Sequence, residues 1–303
     1  MALVFVDLRT LGSGTWLTDT EMVMRSLMVA LKEQHEAVRL TAVAVRVAER
    51  ATEVQVVHVV EIDSAHSRAE GDAMVEYAVD LLQAQGLLAE GRVVMATGTV
   101  VGRLAELARA SRAELVVMGS RGLGHLGGLL GRSVSHGLLA GLELPVLIVP
   151  DKAGLPAHGF RRVLAALRSE DDVQPAASAL QLLQPQEVLA VHVPRLVAAH
   201  AGSTRSSGFV EMPETSTMIL AEARRALKRA GIRVTTRTLP RSDVAAAITE
   251  AAETWHADAI VLGSRRLRDW EALIGGSTSH DVLRLSGRPV FISGRSLHRG
   301  TAP

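Results

Sequence analysis

The stretch of this chain best suited to chemistry is Met118-Gly-Ser-Arg-Gly-Leu-Gly-His-Leu-Gly-Gly-Leu-Leu-Gly-Arg-Ser-Val-Ser-His136, in which six residues are glycine. Backbone N–H groups freed from side-chain bulk can converge on an anion. A helix expected from about Ser133 adds unpaired N–H groups and a favourable dipole at the same end. The segment follows an apolar run, and in open parallel sheets ligands sit outside the carboxyl ends of strands. Phosphate binding is the chemistry on offer. The alternative is a flexible connection that lets a helix pack closely on a sheet. No Gly-Lys-Ser/Thr follows the glycines, so this is not a P-loop. Gly122-Leu-Gly124-His-Leu-Gly127 does match Gly-x-Gly-x-x-Gly. It follows the fourth strand candidate instead of the first, which is a poor match to a dinucleotide fold.

Other chemistry-bearing residues read more plainly. His58 and His192 stand near strand ends as edge or core residues, and His136 and His280 fall in the first turn of a fourth helix. No His-x-x-x-His pair occurs, and Glu253-Thr-Trp-His256 stands alone. With no cysteine either, no metal site is expected. Ser133 and Ser277 read as helix caps. No Gly-x-Ser-x-Gly follows a strand, so a nucleophile elbow is not expected. Glu170-Asp171-Asp172 reads as the acidic first turn of a helix. Trp255 and Trp270 read as packing residues.

The elements that must position the glycine stretch are short apolar runs alternating with helical periods. Strands are expected at Leu27–Leu31, Val54–Val60, Arg92–Met95, Leu115–Met118 and Val146–Val149. Leu27–Leu31 is preferred over Leu3–Val6 as the first of them. Helices are expected over Ala37–Ala51 (apolar stripe Val38, Ala42, Val45, Ala48), Ala69–Gln85 (Met74, Ala78, Leu81, Leu82) and Val101–Arg112 (Leu104, Leu107, Ala108). A second series follows, with strands Val163–Leu167, Val188–Val193, Ile232–Arg237, Ala259–Leu262 and Val290–Ile292. Its helices are Asp172–Leu183, Thr215–Ala230 and Asp243–Trp255. Near-continuous apolar strands alternating with helices imply a parallel sheet covered on both faces.

The two series are copies. Val116-Val-Met-Gly-Ser-Arg121 matches Ile260-Val-Leu-Gly-Ser-Arg265, Ser133-Val-Ser-His136 matches Ser277-Thr-Ser-His280, and Pro145-Val-Leu-Ile148 matches Pro289-Val-Phe-Ile292, each at an offset of 144 residues. Val57-His-Val59 matches Val191-His-Val193 at an offset of 134. This ordered recurrence implies a duplicated α/β domain. The expected division is an extension over 1–25, domain one over 26–150, a linker over 151–160, domain two over 161–293 and a tail over 294–303. Ala201–Gly208 within Arg195–Met212 reads as a mobile loop.

Composition narrows the function further. The 303 residues suggest about two domains, and 33 Lys and Arg against 32 Asp and Glu leave a net charge of +1. With four Phe, three Trp and one Tyr, and no basic excess, a nucleic-acid partner is not expected. No uninterrupted apolar run of ~18 residues suggests a membrane span. The first residues lack a basic n-region, and a cytoplasmic protein is expected.

The repeated motifs resemble those of the universal stress protein family, and the chain looks like a tandem of two such domains. The resemblance rests on a signature of Gly, two residues, Gly, nine residues, then Gly-Ser or Gly-Thr. In copy one Gly119 and Gly122 fit, Leu123–Gly131 gives the nine-residue spacer, and Arg132-Ser133 stands for the last pair. In copy two Gly263 fits, Arg266 replaces the second glycine, Leu267–Gly275 gives the spacer, and Gly276-Ser277 completes the motif. The resemblance implies two doubly wound domains, each a five-stranded parallel sheet of adenine-nucleotide alpha-hydrolase-like type, joined as an intramolecular pseudo-dimer. Pairing is expected at the final strands and the fourth helices, with a homodimer beyond that left open.

It also implies a binding site for ATP or another adenine nucleotide, or another small phosphorylated ligand. Carried over, its residues are Gly119, Ser120, Arg121, Gly122, Arg132 and Ser133 in copy one. In copy two they are Gly263, Ser264, Arg265, Gly276 and Ser277. Family members that hold ATP place an Asp at the tip of the first strand. Here that position is Lys32 in copy one and Arg168 in copy two, and neither side chain has an acceptor. Two functions follow: a nucleotide-responsive regulator that signals to a partner, or a non-binding interaction scaffold. Weak ATP hydrolysis is implied for some members, but no general base is positioned near the glycines.

Overall fold

The computed structural model describes residues 24–62, 64–120, 144–155, 159–194, 196–199, 206–209, 213–263 and 278–293. Copy one runs β1 (Ser26–Leu31), a 3-10 turn (Gln34–Glu36), α1 (Ala37–Val47), β2 (Glu53–Val60), α2 (Ala65–Gln83), β3 (Leu88–Met95), α3 (Val100–Ala110), β4 (Leu115–Gly119) and β5 (Val146–Val149). Copy two repeats the plan. It has β6 (Arg162–Leu167), a 3-10 turn (Glu170–Asp172), α4 (Val173–Leu183), β7 (Glu187–His192), a hairpin of β8 (Leu196–Ala199) and β9 (Ser206–Phe209), and α5 (Pro213–Arg229). It closes with β10 (Arg233–Thr238), α6 (Val244–Thr254), β11 (Ala259–Leu262), α7 (Thr278–Leu285) and β12 (Val290–Ile292).

One ten-stranded sheet, ordered β10-β7-β6-β11-β12-β5-β4-β1-β2-β3, runs through both copies. Within this sheet the strands of each copy are parallel to one another. At the centre β12 meets β5 antiparallel, pairing Val290 with Ile148, Phe291 with Leu147 and Ile292 with Val146. The expected pairing through the final strands is therefore present. Copy one's fourth helix lies outside the described residues, and α7 packs on α6 of its own copy.

Two apolar layers explain why these runs form strands. Leu27, Val29 and Leu31 point into the layer covered by α1, α2, α4 and α5, while Met28 and Ala30 point into the layer covered by α3, α6 and α7. Every residue of β1 is buried, as a strand covered by helices on both sides requires. Both layers cross the joint between copies. Phe291 is fully buried beside Leu147, and such a side chain contributes about 2–3 kcal/mol. Equivalent helices are capped in equivalent ways: Thr99 accepts from Gly102 N–H at the start of α3, and Asp243 accepts from Ala246 N–H at the start of α6.

Three expectations need correction. The α1 stripe of Val38, Ala42, Val45 and Ala48 is not the buried one: Val38 is 54% exposed, and Leu40, Thr41, Val43, Ala44 and Val47 face the core. The helix also stops at Val47, because Ala48 turns extended. Choosing Val38 as the phase rotated the whole face by about one residue, or ~100°. The third strand starts at Leu88, four residues before the expected Arg92, because its outer half is an exposed sheet edge without apolar alternation. Ser206–Gly208, expected in a mobile loop, belongs to β9 and pairs antiparallel with β8. Polar Ser and Gly hide a strand whose stability comes from its ladder partner.

Candidate functional site

The chain passes from β1 through β2 to β3 on one side of the sheet, then returns to β4 and β5 on the other. The crevice at such a reversal is where open α/β sheets bind ligands. In copy one it lies outside the carboxyl ends of β1 and β4. Ala30 pairs with Met118, so Leu31-Lys32 and Gly119-Ser120 leave the sheet side by side. In copy two the corresponding ends belong to β6 and β11, where Ala166 pairs with Leu262. Leu167-Arg168 and Leu262-Gly263 emerge there.

Each first-strand tip is locked from two directions. From the second strand, His58 Nδ1 hydrogen-bonds the Leu31 carbonyl at 3.0 Å, and His192 Nδ1 the Leu167 carbonyl at 2.8 Å. From the following turn a carboxylate folds back. Glu36 Oε2 accepts from Lys32 N–H at 3.2 Å and Glu33 N–H at 3.4 Å. Asp172 Oδ2 accepts from Arg168 N–H at 2.9 Å and Ser169 N–H at 3.3 Å. Both acids are 1% exposed. The 3-10 turn makes this possible, since it brings the carboxylate back over the residues four and three positions earlier. Bonds from charged acceptors to two otherwise unpaired amides stabilise the tip by about 1.5–3 kcal/mol each at most.

The second oxygen of each acid, Glu36 Oε1 and Asp172 Oδ1, is buried without a hydrogen-bond partner. Both lie against the glycine that ends the fourth strand. A Cβ on Gly119 would sit 2.1 Å from Glu36 Oε1, and one on Gly263 would sit 2.5 Å from Asp172 Cβ and 2.8 Å from its Oδ1. Glycine is thus required at both positions by the packing of a buried carboxylate. Closeness to a phosphate need not be its reason.

The sequence reading did not single out Glu36, and it took Asp172 only for part of an acidic helix start. The signal was present: an acid recurs four residues after the strand-tip cation in both copies. Of the residues expected at the site, Lys32, Gly119 and Ser120 come together in copy one, and Arg168 and Gly263 in copy two. Lys32 and Arg168 are exposed, with their amides committed to the carboxylates. Ser120 N–H donates to the Val149 carbonyl at 3.2 Å, continuing the sheet by one bond. Arg121, Gly122, Arg132, Ser133, Ser264, Arg265, Gly276 and Ser277 lie outside the described residues.

The remaining candidates are structural. Trp255 carries the Arg162 guanidinium 4.4 Å above its ring. His256 is exposed in a left-handed turn beyond α6. His35, Glu36 and Asp151 bring ligand-type atoms within 4.8 Å of one another. Within this group Asp151 Oδ1 receives Arg39 at 2.7 Å and Glu36 Oε2 receives two amides, while Glu36 Oε1 has no hydrogen-bond partner. Among the described residues, no helix is long and apolar enough to cross a membrane.

The duplicated fold agrees with comparison to known proteins. The model of the universal stress protein family matches residues 24–150 and again 159–293, and the chain belongs to that family as a tandem of two such domains. Among solved structures it is similar to a universal stress protein from Archaeoglobus fulgidus DSM 4304, at 23% identity over 89% of this chain and 96% of that one, with a TM-score of 0.63. A putative universal stress protein from Pseudomonas aeruginosa UCBPP-PA14 gives 14% identity over 91% and 95%, with a TM-score of 0.54. A universal stress protein in complex with cAMP gives 25% identity over 42% of this chain and 98% of that one, with a TM-score of 0.35. No curated relative matches the chain.

Proposed function

We propose that this protein is a cytoplasmic regulator of universal stress type. It holds an adenine nucleotide or another small phosphorylated ligand in the crevice of at least one copy and passes its occupancy to a protein partner. The observation that carries this reading is the same in both halves. A strand ending in a cation, Lys32 or Arg168, stands beside a strand ending in a glycine, Gly119 or Gly263, at the reversal of the sheet. A phosphate at that point gains a long flexible donor from one wall and close backbone approach from the other. With Lys32 and Arg168 at the first-strand tip, the cation contributes to the anion and not to an adenosine hydroxyl. The preference is therefore for the charged part of the ligand.

A second reading, a scaffold that binds no nucleotide, is favoured by the two locks. Glu36 and Asp172 use the tip amides internally and add negative charge beside each crevice. Calorimetric titration with ATP, ADP and AMP separates the two. The regulator gives saturable heat for at least one of them, rising with phosphate count. Heat indistinguishable from dilution for all three overturns it in favour of the scaffold.

A further inference from the structure

Helices α2 and α5 are the outermost elements of the same sheet face, one at each end of the molecule. They are equivalent elements of the two copies. Each packs on its own edge strand, β3 or β10, and each closes the same way, with Leu87 N–H donating to the Leu82 carbonyl and Ile232 N–H to the Leu227 carbonyl. Their surfaces nevertheless carry opposite charge. Helix α2 has four carboxylates against one arginine, whereas α5 has four cations against two carboxylates.

The acidic set is organised. Asp72, Glu76 and Asp80 are exposed and spaced four apart, so they form a single stripe. Like charges at this spacing repel one another. None of the three has an ionic partner within the described residues. At the other end Glu222 engages Arg225 and Arg229, and Glu187 engages Arg233. Lys228 and Arg237 remain exposed with no ionic partner among the described residues. Among the described residues β3 and β10 each have one strand neighbour, so both ends of the sheet are edge strands there.

We propose that these two ends recognise each other in successive copies of the chain. The acidic stripe of α2 on one molecule seats against the α5–β10 rim of the next, centred on Lys228 and Arg237. A contact between two different patches is head-to-tail, so it closes into a ring or continues as a filament and is not limited to a dimer. Its attraction is between exposed charges, and it weakens as the Debye length falls from roughly 20 Å in dilute buffer to a few Å in concentrated salt.

Sedimentation velocity of the full chain over a concentration series tests this in about 20 mM and about 500 mM NaCl. The weight-average mass rises by about twofold or more with concentration in low salt and returns to the single-chain value in high salt. Two charge-reversed proteins sharpen the test: one with Asp72→Lys, Glu76→Lys and Asp80→Lys, the other with Lys228→Glu and Arg237→Glu. Each alone stays monomeric, and mixing them restores association, because every acidic end then finds a basic one. A wild-type chain that is monomeric throughout in low salt overturns the proposal. So does association that ignores salt. Loss of association on reversing only the α5–β10 rim, with the α2 reversal silent, also overturns it and assigns that rim to a separate anionic partner.

Discussion

The two first-strand tips solve one packing problem with different acids. Glu36 reaches its amides with two methylenes and Asp172 with one, yet both set one oxygen on the tip N–H groups and the other against a fourth-strand glycine. The difference lies in what touches that glycine. Beside Gly119 it is the free end of a longer side chain; beside Gly263 it is the Cβ of Asp172, anchored to the backbone. The shorter acid makes the more rigid joint, although the closer approach is at Gly119. The constant part of the device is therefore the carboxylate position, and the glycine follows from it.

That contrast can be broken most sharply at the glycines. Gly263→Ala forces the backbone of the turn to shift and is expected to lower stability by about 3 kcal/mol. Gly119→Ala costs about half as much, because Glu36 can swing its carboxylate away at the expense of its two amide bonds. Urea unfolding measures both, and equal costs would show that the anchoring of the acid does not matter. Next come the acids themselves. Asp172→Ala or Glu36→Ala leaves two amides unpaired and costs about 2 kcal/mol. Asp172→Ala keeps the Cβ that blocks Gly263 and so relieves little there, whereas in the Glu36→Ala background Gly119→Ala becomes nearly free, giving a coupling of about 1.5 kcal/mol in a double-mutant cycle. Additive effects would contradict direct contact between the pair. The smallest effects belong to the histidines. His192→Ala, at a buried site, is expected to cost about 1 kcal/mol, and His58→Ala, at a half-buried one, about 0.5 kcal/mol, measured by the same unfolding curves.

Much of the fold was legible because duplication printed each element twice. Both five-strand series follow from apolar runs such as Val146–Val149 and Val290–Ile292, and the pairing of the last strands was expected from the family resemblance. What failed was local phase and polarity. In α1 valine and alanine occur on nearly every side, so the pattern around Val38 did not reveal which stripe faces the sheet. In β9 and the first half of β3 the sequence is polar because an edge needs no second apolar face. At the candidate site, Gly119, Gly263, Lys32 and Arg168 were expected through the family resemblance, by matching its glycine signature and its first-strand tip. Glu36 and Asp172 escaped because a buried acid is expected to be rare, and nothing in a linear reading marks a carboxylate that folds back on its own turn.

The pair of locks also bears on binding. With the tip amides already bonded, the proposed anion site rests on the Lys32 or Arg168 side chain and on the glycine-rich sequence that follows β4 or β11. The most direct test of that dependence is equilibrium dialysis with ATP on the wild-type chain and on the Lys32→Ala/Arg168→Ala double variant. Saturable binding that weakens by about tenfold or more in the double variant, equivalent to about 1.4 kcal/mol, is the predicted result. Binding of unchanged strength in the double variant, or no binding by the wild-type chain, would contradict the placement of a phosphate at the strand tips.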